Sequence, residues 1–329
     1  MRTANQNERL VSVLMPAHNS PDIYASVDSV LNQTYGPIQF ILIDDCSSEF
    51  SLQSMETYLN MKARSNIQSW IVLKNEQNLG TVKTLNRGLS IAQGEIIFNL
   101  AGDDLFCDER VLEDWVREFQ KTQALVITGI RQNYDHEFQN QMGVTPTIRQ
   151  VEWLKTLTPD SLFEKLILDH FVAGASTARS RQFFQKYGLY DENYRLIEDF
   201  PANLRFLRDG GRIVFFDREV IKYRGGGMSS VSAAGSNYER DMRLIFQNEI
   251  YPYTRYPKRA KRWLRNWEND IAFDRKHVAI EQLCEKRVFR RTLLRVWYYA
   301  HHPIQAIRKL SPSSLCKEGK QNGNHKTEI

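Results

Sequence analysis

The chain of 329 residues lacks any run of roughly eighteen uncharged apolar residues, the length a membrane-spanning helix needs, so no span is expected. Its opening stretch, MRTANQNERL, lacks the apolar core of a signal peptide. Cysteine is scarce: Cys46, Cys107, Cys284 and Cys316 are widely separated and form no CxxC pair. That spacing argues against a disulfide framework or a structural zinc site and fits a reducing, cytoplasmic setting. No internal repeat is present. No glycine-rich, lysine-bearing phosphate loop follows the first apolar run VSVLM, which weighs against a nucleotidyltransferase.

Length and composition otherwise suit one large globular domain with an appendage, or two domains. The net charge of +5 conceals an asymmetry, because residues 251–329 hold 18 Lys+Arg against 7 Asp+Glu (+11), leaving −6 for residues 1–250. A mildly acidic body with a strongly basic tail implies an anionic partner, either phospholipid headgroups or nucleic acid. The final stretch SSLCKEGKQNGNHKTEI reads as disordered.

The first 130 residues alternate short apolar runs with helix-length amphipathic segments. VSVLM (11–15), QFILI (39–43), SWIVL (69–73), EIIFNL (95–100) and ALVITG (124–129) read as strands, and 22–34, 50–64, 81–92 and 108–120 carry helical spacing. Repeated βα units predict an α/β fold, a mainly parallel sheet flanked by helices. Residues 131–158 are polar and irregular and are expected to form an active-site loop or an acceptor-side insertion. Helices at 160–170, 180–187 and 199–209 and strands near 171–178, 212–216 and 219–223 complete the pattern, followed by the glycine-rich loop RGGGMSS (224–230).

Asp103 and Asp104 follow the strand EIIFNL and so lie at a strand's carboxyl end, where open α/β sheets bind ligands. Mg²⁺ and Mn²⁺ prefer oxygen ligands and often take one or two carboxylates together with substrate phosphates, a demand this pair suits. A turn capping the next helix is the plainer account of the same residues. A second acidic pair, Glu198-Asp199, opens a helix in RLIEDFP, where Asp199 is also an apt helix cap.

VSVLMPAHN (11–19), FILIDDCSS (40–48), NEQNLG (75–80), LAGDD (100–104) and IED (197–199) together resemble, in order and spacing, the family 2 inverting glycosyltransferases of GT-A fold, over roughly residues 10–230. The resemblance implies that the turn at Pro16, Ala17 and Asn19 cradles the nucleotide. It implies an aspartate on the nucleobase, Asp45, with Asp44 nearer the ribose or the two reversed. It assigns the segment of Asn78, Gly80 and Lys83 to the base and pyrophosphate. Asp104 would hold Mn²⁺ or Mg²⁺, with Asp103 toward ribose or metal. Here the chain departs from the commoner pattern, since Ala101 stands where an acid is usual. Asp199 would deprotonate the acceptor hydroxyl while Glu198 positions donor or acceptor, and Arg224 and Ser229 would approach the diphosphate.

Residues 258–309 interleave aromatic and cationic groups, with Trp263 and Trp267 one turn apart and Arg287, Arg291 and Arg295 at the same spacing as Phe289, Leu293 and Trp297. That pattern suits a helix in a membrane interface or a helical subdomain packed on the body. No nucleic-acid motif accompanies the charge. The expectation is a catalytic domain over 1–230, with a nucleotide-sugar half at about 10–130 and an acceptor half at about 131–230. A helical basic extension at 231–310 and a tail at 311–329 follow. The expected activity is metal-dependent transfer of a hexose or N-acetylhexosamine from a UDP-sugar to a lipid-linked saccharide of bacterial surface polysaccharide (O-antigen or capsule), peripherally on the inner face of the cell membrane. A non-catalytic nucleotide-sugar-binding relative is the other reading that Ala101 keeps open. The enzyme reading requires that the carboxylates at 103/104 and at 199 share one cleft.

Overall fold

In a computed structural model, which describes residues 9–225 and 235–284, the strands β1 (Val11–Ala17) and β2 (Ile38–Asp44) are buried along nearly their whole length. Helices cover both faces of a parallel sheet, so its central strands are apolar without alternation. α1 (Ile23–Leu31) connects them. After α2 (Leu52–Lys62), β3 (Ile67–Lys74) forms the sheet's more exposed edge. α3 (Thr81–Leu89) presses Val82, Leu85 and Leu89 inward and leads to β4 (Ile96–Asn99). β1 pairs in parallel with β2 and with β4, aligning Ala17 with Asp44 and Leu14 with Asn99. Three carboxyl ends therefore open on one edge of the sheet.

The remaining elements are β5 (Leu105–Phe106), α4 (Val111–Thr122), β6 (Val126–Tyr134), β7 (Gln141–Thr145), α5 (Ile148–Thr156) and α6 (Pro159–Leu166). They continue as β8 (Thr177–Ser180), α7 (Arg181–Tyr187), α8 (Asp199–Arg208), β9 (Ile213–Arg224), α9 (Gly235–Ile245) and α10 (Pro257–Cys284). The strand order is β3-β2-β1-β4-β8-β6-β9-β5, with β7 paired on β6. α4 closes one face with Trp115, 1% exposed, whose ring stands edge-on to Phe98 at 4.8 Å. The expected α/β class, a mainly parallel sheet flanked by helices, is present.

β8 is the strand that builds the site. It runs antiparallel to β4, pairing Phe98 with Ala178, so its beginning, not its end, reaches the edge where β1, β2 and β4 finish. The segment just before Thr177 is thereby delivered to the same place, as is the carboxyl end of β9, which runs parallel to β6.

The fold differs from the sequence reading in three stretches. Residues 131–158 are not an irregular loop: β6 continues to Tyr134, pairs with β7 and is followed by α5. Polar residues outnumber apolar ones there because this hairpin is solvent-exposed on β7. The strand near 171–178 begins only at Thr177, after a short 3-10 turn at Gly174–Ser176. The strands at 212–216 and 219–223 are one strand, β9, whose pairing with β6 shifts register between Thr128 and Arg131.

The chain divides into two compact units, Met1–Asn266 and Trp267–Ile329; in the second, the described residues carry α10 on to Cys284. No helix among the described residues is long and apolar enough to cross a membrane. Ser229, and the aromatic and basic positions from 287 to 297, lie outside the described residues.

Candidate active site

A cleft of about 650 Å³ opens at the common edge of the sheet. Pro16 and Ala17 line it from the end of β1, Asp103 and Asp104 from the turn after β4, and Glu198 and Asp199 from the start of α8. Two acidic pairs, nearly a hundred residues apart in sequence, thus face one space. The turn after β4 sits directly on β1, since a Cβ at Gly102 would stand 2.8 Å from Ala17 Cβ.

At the end of β2 the structure gives Asp45 a definite task. Its Oδ1 accepts the Leu79 N–H at 2.7 Å and the Asn75 side-chain N–H at 2.8 Å, while Oδ2 accepts the Gly80 N–H at 2.8 Å. Charge-assisted bonds of this kind are about twice as strong as neutral ones, so Asp45, which also lines the cleft, fixes the turn over 75–80. Asp44 is fully buried, its Oδ2 accepting the Ser47 N–H at 3.0 Å, and it does not line the cleft. Asn19 adopts φ 49° and ties the β1 turn to the β2 turn, its N–H donating to Ser47 Oγ at 2.8 Å and its Oδ1 accepting the Ser48 N–H at 3.1 Å. Gly80 has φ +85°, and a Cβ there would come within 2.5 Å of Arg195 Cγ, so only glycine fits. Arg195 Nη2 in turn donates to Asn78 Oδ1 at 2.7 Å. Asn78 and Lys83 line a separate polar pocket of about 400 Å³ with Arg195, not the cleft itself.

The acidic turn after β4 is deeply set. Asp104 is 1% exposed; Oδ1 accepts the Arg224 N–H at 3.0 Å, and Oδ2 is buried with no partner. Burial first, and the neighbouring Asp103 charge second, push the Asp104 carboxyl well above its usual range. Burial likewise raises Asp103, with Arg224 and His136 pulling the other way. Arg224 itself is committed nearby: its guanidinium pairs with Asp22, donates to the His136 carbonyl at 2.6 Å and lies 4.3 Å from the Phe138 ring. An orphaned, buried carboxylate oxygen beside a second carboxylate fits a hard divalent cation. Among the described residues no set of three or more His, Cys, Asp or Glu is grouped to hold a metal, so a cation here would need ligands from outside the protein.

Across the cleft, Asp199 opens α8 with both oxygens engaged: Oδ1 accepts the Phe200 N–H at 2.7 Å and Oδ2 the Gly174 N–H at 2.5 Å. His170 Nε2 lies 3.2 Å from Oδ2, within ion-pairing distance though off the line of a hydrogen bond, and its ring stacks on Phe200 at 4.3 Å. Burial alone would raise the Asp199 carboxyl. The imidazole of His170, the Arg179 charge and the Gly174 amide outweigh it and hold Asp199 below the ordinary carboxylate range. Glu198 goes the other way: burial, then the adjacent Asp199 charge, push it up to about 8. The two titrate as a pair, one ionised and one protonated at neutral pH. Arg179, 1% exposed, is anchored behind them by its Nη2 to Asn203 Oδ1 at 2.7 Å.

Gly174 permits this arrangement, because a Cβ there would meet Glu198 Oε1 at 2.7 Å and Asp199 Oδ2 at 3.1 Å. Gly174→Ala is therefore expected to displace the pair and lower turnover at least about ten-fold, since small misplacements of reacting groups cost up to about a hundred-fold. Its overpacking cost should stay within about 1–3 kcal/mol by thermal melting. An alanine variant with full turnover would show that the pair is not constrained from this side.

His170, Gly174 and Arg179 were not expected from the sequence. They sit in or beside HFVAGAS, a run too short and too mixed to show a period, and only the antiparallel entry of β8 carries it to the cleft.

The family model described as Glycosyl transferase family 2 matches residues 12–188. An uncharacterized glycosyltransferase of Haemophilus influenzae is 33% identical over 252 residues, 75% of each chain. The uncharacterized glycosyltransferase EpsJ of Bacillus subtilis is 28% identical over 222 residues; the match spans 65% of this chain and 61% of EpsJ, less than two thirds of its length. The putative teichuronic acid biosynthesis glycosyltransferase TuaG of Bacillus subtilis is 24% identical over 259 residues, 76% of this chain and 96% of TuaG. Among solved structures, S. aureus TarS 1-349 in complex with UDP-GlcNAc superposes with TM-score 0.56 at 20% identity, covering 79% of this chain and 71% of that one. The mannosyltransferase PcManGT from Pyrobaculum calidifontis, in complex with GDP-Man and Mn²⁺, gives TM-score 0.56 at 13% identity, covering 93% of this chain and 84% of that one. At these identities the two structures bear on fold alone.

Proposed function

Because the chain belongs to glycosyl transferase family 2, and is therefore a transferase, we propose that it moves a hexose or N-acetylhexosamine with inversion from a UDP-sugar to a lipid-linked saccharide, in the synthesis of a bacterial surface polysaccharide at the inner face of the cell membrane. The observation that carries the chemistry is the pair of acidic groups facing one cleft, Asp103-Asp104 on one side and Glu198-Asp199 on the other. The name of TuaG supports the polysaccharide setting.

In this reading the acceptor hydroxyl gives its proton to Asp199 as its oxygen bonds to the anomeric carbon, and the bond from that carbon to the diphosphate oxygen breaks, releasing UDP. Asp199 suits the task because it is ionised at neutral pH. Glu198, protonated beside it, would donate a hydrogen bond to a sugar oxygen. Asp104 and Asp103 would hold Mn²⁺ or Mg²⁺, which supplies charge stabilisation to the leaving diphosphate. Asp45 holds the 75–80 turn against which the nucleotide would rest.

His170 tests the base assignment independently. His170→Phe keeps a ring against Phe200 and removes the imidazole that helps hold Asp199 low, so the acid limb of the transfer rate should move to higher pH. An unmoved limb would assign the control of Asp199 elsewhere. The reaction itself is checked by incubating the protein with a panel of UDP-sugars, Mn²⁺ and a short-chain lipid-diphosphate saccharide. UDP with a lengthened saccharide is expected; release of pyrophosphate would favour a nucleotidyltransferase, and nucleotide binding without any turnover would favour a binding protein.

A further inference from the structure

The stretch 251–266 contains Arg255, Lys258, Arg259, Lys261, Arg262 and Arg265 and no acidic residue. On α10, Lys258, Lys261, Arg262 and Arg265 fall at i, i+3, i+4 and i+7 and are all exposed, forming one stripe. Ala260, Trp263 and Leu264 take the opposite side, with Ala260 2% exposed and the other two half-buried. Just before the helix, Tyr251, Tyr253 and Tyr256 are 41%, 53% and 55% exposed, the largest exposed aromatic group among the described residues. The two features adjoin: Lys261 Nζ is 4.6 Å from the Tyr251 ring, and Arg208 Cζ lies 3.7 Å from the Tyr253 ring. The base of this surface is tied to α6, since the Thr254 hydroxyl and the Arg255 N–H both donate to the buried Glu164 carboxylate, at 2.8 and 2.7 Å.

We propose that this surface of three exposed tyrosines and a stripe of four helical cations docks the protein on a bilayer of anionic phospholipid. Tyrosine rings, apolar in body and polar at the tip, are suited to headgroup depth. Lysine and arginine stems can lie along the acyl boundary while their charges meet lipid phosphates. A globular surface that merely needed solubility would mix both signs of charge along the helix, whereas this stripe carries four cations and no acid beside the tyrosines, the adjoining exposed carboxylate, Asp160, being paired with Arg255. Nucleic acid would also attract the charge, but half-exposed tyrosines are spaced here on a tight turn and not along a strand-binding groove. The purpose of docking rests on the proposed lipid-linked acceptor; the affinity for lipid does not and is measured without any glycosyl transfer.

The test is flotation of the full chain with vesicles of phosphatidylcholine alone and with phosphatidylcholine containing phosphatidylglycerol, at physiological salt. Binding is expected only with the anionic lipid, and it should weaken on raising the salt toward 1 M, where the screening length falls to about 3 Å. Replacing Lys258, Lys261, Arg262 and Arg265 by Gln should weaken partition about five-fold per charge, and about a hundred-fold or more together. Tyr251→Ser with Tyr253→Ser and Tyr256→Ser should lower it further at high salt, where the aromatic contribution survives. UDP-dependent thermal protection equal to that of the unchanged chain verifies folding of each variant. Equal binding to phosphatidylcholine alone, undiminished anionic-lipid binding by the four-Gln variant, or binding to RNA but not to vesicles would each overturn the proposal.

Discussion

Asp199→Asn is expected to lower glycosyl transfer by about a hundred- to ten-thousand-fold, the usual worth of a positioned general base, while leaving UDP affinity within about two-fold. The separation of the two effects follows from geometry. Asp199 lies across the cleft from Asp103-Asp104, on α8, and takes no part in the contacts of the 75–80 turn or the β1 turn. An amide is nearly isosteric, but it can accept only one of the two backbone N–H groups, from Gly174 and Phe200, that the carboxylate now satisfies. A stability cost of about 1–3 kcal/mol is expected for the N–H left unpaired, so melting should be measured beside turnover. The pH profile carries a second check. Asp199 is held below the ordinary carboxylate range and Glu198 is pushed up to about 8, so transfer should rise as Asp199 ionises on the acid side and fall as Glu198 loses its proton on the alkaline side. Turnover within ten-fold of the unchanged enzyme in Asp199→Asn would remove Asp199 from the proton transfer.

The parts of the site that could be read in the sequence are those made by local pattern. VSVLM, QFILI and EIIFNL are buried parallel strands, and such strands announce themselves as unbroken apolar runs with turn residues after them. The acids that follow them could therefore be placed at a sheet edge before any coordinates. What escaped reading was made by long-range pairing. β8 covers only Thr177–Ser180 and runs against its neighbours, and nothing in a four-residue strand encodes its direction. With that direction unknown, His170 and Gly174 had no place in a site. Charge was legible as composition but not as employment: Asp45 spends both oxygens on the 75–80 turn, Arg224 is engaged by Asp22, and Lys83 faces a neighbouring pocket. For Asp45 and Arg224 the partner lies 30 or more positions away, beyond the reach of periodicity. The exposed β6–β7 hairpin shows the converse error, since its polar residues resemble a loop although their backbone is paired.

Asp104→Asn should do two opposite things: stabilise the metal-free protein and abolish the further stabilisation that Mn²⁺ and UDP together provide. The sign comes from the direction of the carboxyl's shift. Burial and the Asp103 charge raise Asp104 in the folded state well above its unfolded value. A carboxyl so raised contributes stability that is fully present below the unfolded pKa and is lost as pH rises through the folded one. At neutral pH the metal-free fold therefore bears the cost of a buried group, one oxygen of which has no partner. Asparagine stays neutral at every pH and can still accept the Arg224 N–H. It should recover about 1–3 kcal/mol, a rise of several degrees in Tm, and flatten the loss of stability between mildly acidic and alkaline buffer. For the unchanged protein a cation must displace the proton, so Mn²⁺ protection should strengthen as pH rises over the same range. Asparagine offers no anionic oxygen to the ion, and the joint protection by Mn²⁺ and UDP should fall to that of UDP alone. Full Mn²⁺-dependent protection in Asp104→Asn would mean that the cation is held by other groups, and a lower metal-free Tm would mean that Asp104 stabilises the fold as a structural acceptor.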